Sequence, residues 1–127
     1  MKIKLVHLYG YVSCKDTPPN HWSPWGCGYH PEGDNAHYEA EWTGIYVTTA
    51  SDTVLFPPKE IGLNKYHWAL IPGYNSRSPE LVMSIYDTPV SVTAGQELRL
   101  WYSDDYENQW EYDNHGRVCA DVYGYFM

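Results

Sequence analysis

The sequence has few basic residues and no long apolar run, and each shortage excludes a class of protein. Eight Lys and Arg stand against 16 Asp and Glu, a net charge of −8 that argues against nucleic acid or an anionic membrane surface as a partner. No apolar stretch approaches the roughly 20 residues of a membrane-spanning helix, so membrane insertion is not expected. The sequence contains no P-loop, dinucleotide-binding fingerprint or nucleophile elbow.

Cysteine is also scarce, and the three residues Cys14, Cys27 and Cys119 cannot all pair within one chain. The absence of a Cys-x-x-Cys motif argues against a zinc site. Cys14 ends the first apparent strand and Cys119 begins the last one, so a bridge between them is one interpretation if those strands are neighbours. Free buried thiols are the alternative.

The amino-terminal residues 1–12 include a short apolar run, but they alternate like a strand and lack a small-residue cleavage site. The sequence therefore predicts a cytoplasmic protein, a protein exported without an ordinary signal peptide, or a mature form given a new Met. Its 127 residues predict a single domain with one core.

No window of about 11 residues or more has a helical period, which indicates a β protein. Runs rich in β-branched and aromatic residues are separated by turn signals such as Pro57-Pro58, Pro72-Gly73 and Ala94-Gly95. The predicted strands cover residues 2–12, 44–49, 66–71, 81–86, 96–102 and 118–126. The pattern predicts an all-β fold over residues 1–127, a small jelly-roll-like β-sandwich of two antiparallel sheets.

The richest chemical signal lies between the last two predicted strands, in an acidic loop within residues 101–116. Five carboxylates fall within ten residues, at Asp104, Asp105, Glu107, Glu111 and Asp113. No Lys or Arg interrupts them, and Asn108 and Asn114 add neutral oxygens. Crowded carboxylates repel one another unless a cation neutralises them, and Ca²⁺ binds about six to eight such oxygens. The loop therefore predicts a calcium site. A solvated acidic loop is the alternative, against which its aromatic residues argue.

A second candidate is the long loop of residues 15–41, because long loops in compact β domains are usually functional. Trp22, Trp25 and Tyr29 have flat apolar faces with a polar edge, which suits them to stack on sugar rings. Packing of the tryptophans onto the sandwich is the alternative. His30 precedes a proline, and a lone loop histidine is more often a surface residue unless it pairs with the acidic loop.

Together the two loops resemble the calcium-dependent galactose-binding lectins of the LecA or PA-IL type from bacteria. In that family a Trp precedes a His-Pro pair by eight residues, as Trp22 precedes His30 here. The family's calcium loop starts at aromatic-x-Asp and ends at two adjacent amides followed by x-Gly. The matching segments are Tyr102-Ser103-Asp104 and Asp113-Asn114-His115-Gly116.

The resemblance implies a lectin rather than an enzyme, with Ca²⁺ completing its shell with two vicinal sugar hydroxyls. The calcium ligands that it implies come from side chains or backbone oxygens of Asp16, Asp104, Glu107, Asn108, Asp113 and Asn114. The ligand-binding residues that it implies are His30, Gly33, Trp25, Tyr29, Asp104, Asp105, Trp110, Asp113 and Asn114. Within that set His30 would bind the exocyclic hydroxyl, and Trp25 or Tyr29 would cover the apolar face of the sugar.

The chain departs from the family in several places. Gly33 replaces a Gln that binds the sugar, and Asp113 replaces the first amide and adds a charge. The loop from Asp104 to Asp113 is two residues longer, with Trp110 among its residues. The family's N-terminal strand is missing or shortened. These changes bear on sugar preference more than on calcium binding.

The expected partners are galactose-containing glycans, bound outside the cell. Binding at each site would be weak, so a homo-oligomer with several sites would supply the strength. Two alternatives remain open. One is a glycosidase that uses a carboxylate pair of the acidic loop, against which the crowding of charge argues. The other is a calcium-stabilised adhesion or toxin-associated module that binds a protein.

Overall fold

The computed structural model of the chain describes residues 2–13, 22–27, 41–63, 68–84, 91–107 and 115–125. The strands formed by these residues are Lys2–Ser13 (β1), Ile45–Thr49 (β2), Val54–Phe56 (β3), Glu80–Ser84 (β4), Leu98–Tyr102 (β5) and His115–Tyr125 (β6). Short helical turns occur at Lys59–Ile61 and Ser103–Tyr106. No helix in these ranges is long and apolar enough to cross a membrane.

The strands form two antiparallel sheets around one core. β1 lies between β4 and β6 in the first sheet, and β2 lies between β3 and β5 in the second. Alternate residues of a strand point to one face, so Ile3 and Leu5 of β1 face the core that Ile45 and Val47 of β2 also enter. The buried core residues are Ile3, Leu5, Trp25, Ile45, Val47, Phe56, Ala69, Ile71, Leu81 and Met83. The predicted all-β sandwich of two antiparallel sheets is confirmed.

Most predicted strands form, with ends that differ by a few residues. The exception is the strand predicted at residues 66–71, because residues 68–71 contribute only an isolated bridge between Ala69 and Thr43. Residues 66 and 67, like residues 85, 86 and 126 of two other predicted strands, lie outside the described residues. β3 was not predicted, since its three residues are too short to show a period.

The state of the cysteines contradicts one interpretation of the sequence, the bridge between Cys14 and Cys119. The first and last strands are neighbours, as that interpretation required. Cys119, however, is a free thiol within β6, paired with Tyr9, while Ser13 at the end of β1 faces His115. The interpretation of a bridge between Cys14 and Cys119 is therefore wrong, and Cys14 itself lies outside the described residues. Cys27 is disulfide-bonded.

Candidate functional site

The end of the acidic loop lies beside residues 22–23 of the long loop. Val12 of β1 pairs with Gly116 of β6 on one side. On its other side Val12 exchanges two backbone hydrogen bonds of 2.9 Å with Ser23. Gly116 has a φ of 91°, and a Cβ atom there would collide with the Trp22 ring and the Tyr11 carbonyl oxygen. The sequence therefore needs glycine at this position, and its small size lets the Trp22 ring lie against the backbone.

The beginning of the acidic loop is tied to the same short segment, residues 22–27. The Trp25 carbonyl accepts a 2.8 Å hydrogen bond from the Gly44 amide, and the Gly44 carbonyl accepts a 2.7 Å bond from the Ser103 amide. The Tyr102 hydroxyl also donates to the Gly26 carbonyl at 3.3 Å. Residues 22–27 therefore connect to both ends of the acidic loop, one end through β1 and the other through Gly44.

Residues 22–27 are fixed by buried hydrogen bonds. The Trp25 side chain has no exposed surface, and its indole N–H donates to the Ser78 carbonyl at 2.7 Å. The Ser76 hydroxyl donates to the Cys27 carbonyl at 3.0 Å, and the Ser23 hydroxyl oxygen accepts from the Gly26 amide at 3.0 Å. The expectation that Trp25 covers a ligand is corrected, because a fully buried ring offers no face to a sugar. Trp22, 39% exposed, is the accessible tryptophan of this segment.

The start of the acidic loop is a one-turn helix packed on the outer face of the second sheet. The Glu107 amide donates to the Ser103 carbonyl at 2.9 Å and closes the turn. The Tyr46 hydroxyl donates to Glu107 Oε1 at 3.3 Å. Burial raises the pKa of Tyr46 to about 12, and the neighbouring Glu107 carboxylate adds to the shift. A neutral tyrosine at this site is a stable donor to a carboxylate.

Aromatic rings support the same turn. The Tyr106 ring meets those of Tyr46 and Trp101 edge-on, at centroid distances of 5.1 and 5.8 Å. The Tyr106 hydroxyl donates to the Asp52 carbonyl at 2.7 Å. The backbone that carries Asp104 and Asp105 is therefore held on rigid strands by contacts on both sides.

Of the predicted site residues, the structure describes Trp25, Asp104, Asp105 and Glu107. Asp104 and Asp105 lie in the helical turn, and Glu107 follows it. The remaining predicted residues, which are Asp16, Tyr29, His30, Gly33, Asn108, Trp110, Asp113 and Asn114, lie outside the described residues. Within the described ranges no three His, Cys, Asp or Glu side chains form a metal-binding group. The support that Tyr46 gives to Glu107 was missed, since 61 residues separate the two and no local pattern links them.

Comparison with known structures identifies the class of protein: the chain belongs to a family of lectins built on a β-sandwich. The relative is AJLec, a lectin from the sea anemone Anthopleura japonica, which is 35% identical and superposes with a TM-score of 0.78. The match covers 99% of this chain and 79% of AJLec. Neither a protein-family model nor a curated protein sequence matches the chain. Membership of a lectin family is thus established, whereas the narrower likeness to the LecA or PA-IL type is not.

Proposed function

We propose that this protein is a calcium-dependent lectin that binds galactose-containing glycans outside the cell. The observation that carries the proposal is the attachment of residues 22–27 to both ends of the acidic loop. This arrangement sets residues 22–27, part of a loop rich in aromatic residues and histidine, beside both ends of a loop rich in carboxylates. The lectin relative supports carbohydrate as the ligand class, and the sequence motifs support calcium and galactose.

The chemistry of the acidic loop fits calcium better than other common cations. Its donors are carboxylate and amide oxygens, which Ca²⁺ prefers, whereas zinc sites use mostly His and Cys. Side chains of Asp104, Asp113 and Asn114 would hold the ion, together with backbone oxygens from Asp16 and from residues 107–109. A bound calcium ion would offer two coordination positions to vicinal sugar hydroxyls.

The residues of the chain then have distinct roles. Carboxylates that hold the cation can also accept hydrogen bonds from the sugar hydroxyls. His30 would donate to or accept from the exocyclic hydroxyl, a contact that Gly33 cannot reinforce as the family's Gln does. Trp22 presents an exposed apolar ring next to Gly116, and Trp110 lies in the lengthened loop. We therefore expect preference for a cis-diol, as in galactose, and added affinity for aryl galactosides or disaccharides.

Titration calorimetry with galactose, glucose and a galactoside, with and without EDTA, tests the proposal. Galactose should bind in calcium buffer, glucose should bind much more weakly, and EDTA should abolish binding and lower the melting temperature. Asp104→Ala should abolish galactose binding because it removes a cation ligand. Glu97→Ala is the matched control, since Glu97 is exposed and pairs with Arg99 away from the loop. Equal binding of both sugars, or binding that persists in EDTA, would refute the proposal.

A second substitution separates the cation from the direct contacts. His30→Ala should weaken galactose binding only several-fold, because one neutral hydrogen bond contributes on the order of 1 kcal/mol. Elemental analysis should find that this variant keeps its calcium. If His30→Ala abolished binding as completely as Asp104→Ala, the assignment of Asp104 to the cation and of His30 to a single sugar contact would be wrong.

A further inference from the structure

Tyr46 is a buried residue on the face of the second sheet that points away from the core. Its neighbours in β2, Ile45 and Val47, enter the core, so Tyr46 lies on the opposite face. The outer face of an antiparallel sheet is commonly open to solvent, yet Tyr46 is only 2% exposed. Part of its cover is the Tyr106 ring, which meets the Tyr46 ring edge-on at 5.1 Å. The helical turn that begins the acidic loop therefore closes over Tyr46.

The Tyr46 hydroxyl contacts residues at both ends of this turn. It donates to Glu107 Oε1 at 3.3 Å, at the residue that follows the turn. The fully buried Ser103 side chain, at the first residue of the turn, also hydrogen-bonds to Tyr46. This bond opposes the rise in the pKa of Tyr46 that burial causes. One buried phenol therefore ties the two ends of the turn to the sheet.

We propose that Tyr46 is a positioning residue for the calcium site and that the Glu107 carboxylate anchors the acidic loop to the sheet instead of ligating the ion. This role rests on the calcium binding proposed above. The turn carries Asp104 and leads into residues 107–109, whose backbone oxygens are assigned there to the ion. A loop already held in place loses less conformational freedom when its ligand arrives, so the anchor should tighten calcium binding.

The competing role for Glu107 is direct ligation through its side chain, and one substitution separates the two. An anchor needs only an oxygen that accepts the hydrogen bond from Tyr46, which Gln also has. A carboxylate ligand needs its charge as well, because the affinity of a Ca²⁺ site depends on the number of charged ligands. Glu107→Gln should therefore keep the calcium dissociation constant within about threefold of that of the wild type. Glu97→Gln, the same change at an exposed site away from the loop, is its matched control.

Titration calorimetry with calcium on the full chain, first stripped with EDTA, measures these dissociation constants. Tyr46→Phe and Glu107→Ala should each raise the constant about tenfold, because the loss of an outer-shell partner typically costs about 10–100-fold in metal affinity. The double variant Y46F/E107A should be no weaker than either single variant, since both remove the same contact. Tyr123→Phe is the control for Tyr46→Phe. It removes a hydroxyl that donates to Asp121 on the first sheet, and it should bind calcium as the wild type does.

A second measurement distinguishes positioning from a general loss of stability. In saturating calcium, Tyr46→Phe should bind galactose with the dissociation constant of the wild type, and its circular dichroism should be unchanged. The role of Tyr46 is overturned alone if the wild type binds calcium but Tyr46→Phe binds it equally well, or if the effects in the double variant add. The anchor role of Glu107 is overturned if Glu107→Gln is as weak as Glu107→Ala. A wild type that binds no calcium overturns the proposed function together with this one.

Discussion

At the scale of single residues, two tryptophans three positions apart have opposite environments. Trp25 is fully buried and donates a hydrogen bond to the Ser78 carbonyl, whereas Trp22 keeps 39% of its surface exposed over Gly116. Composition alone indicates that either ring could stack on a sugar, since the apolar faces of the two side chains are the same. The contacts that separate them come from distant parts of the chain. A residue's role in such a loop therefore depends on tertiary packing that local sequence does not encode.

Tyr46 supplies a residue-scale prediction. Tyr46→Phe removes the hydroxyl that donates to Glu107, which should lower the free energy of unfolding by about 1 kcal/mol near neutral pH. The folded-state pKa of about 12 lies above the ordinary tyrosine value. The stabilising effect of the protonated hydroxyl is thus fully present below the unfolded-state pKa of about 10, and is lost as pH rises toward the folded-state value.

Urea denaturation of the wild type and of Tyr46→Phe across this range measures the effect. The free energy of unfolding of the variant is subtracted from that of the wild type. This subtraction removes the titration of the other tyrosines, which both proteins share. The advantage of the wild type should shrink between about pH 10 and pH 12. A difference that stays constant over that range would mean that the Tyr46 hydroxyl is not sheltered in the folded state.

At the scale of elements, the paired ends of β1 and β6 determine where the two loops meet. Gly10 and Gly116 both have positive φ, and both lie where the opposite strand approaches too closely for a side chain. Gly116→Ala should destabilise the protein by about 2–4 kcal/mol, since it adds backbone strain and a collision with Trp22 and the Tyr11 carbonyl. It should also abolish galactose binding, because the loop end moves.

Gly95→Ala is the matched control for this change. Gly95 has a φ of 83°, nearly that of Gly116, but a Cβ atom there meets nothing within 4 Å. The control should therefore show the cost of backbone strain alone, about 1–2 kcal/mol, and should keep sugar binding. Thermal unfolding and calorimetry on both variants give the comparison. If the two variants lose stability equally and both bind galactose, the contact between Trp22 and Gly116 does not shape the site.

The elements also show what the sequence can and cannot predict. Long strands such as β1 and β6 were predicted because alternation and aromatic content extend over many residues. The sequence does not predict β3 and wrongly predicts a strand over residues 68–71, because short apolar runs carry no usable period. At the site, the acidic loop was visible in composition. The pairing of Val12 with Ser23 and Gly116 cannot be predicted from composition, since it joins three segments that are distant in sequence.

At the scale of the whole molecule, the excess of negative charge links the proposed calcium site to stability. The chain has a net charge of −8, and five of its carboxylates lie in the acidic loop. Without a cation these carboxylates repel one another, so calcium should stabilise the folded chain. Since a ligand that binds only the folded state acts by mass action, calcium at a hundredfold excess over its dissociation constant should raise the free energy of unfolding by about 2.7 kcal/mol.

Thermal unfolding in calcium and in EDTA measures this effect. The wild type should melt at a lower temperature in EDTA than in calcium. Asp104→Ala should melt at the same temperature in both buffers, because it cannot hold the ion. Glu97→Ala removes an exposed carboxylate that pairs with Arg99 outside the acidic loop, so it should respond to calcium as the wild type does. A wild type that melts at the same temperature in both buffers would show that the folded chain gains no stability from calcium.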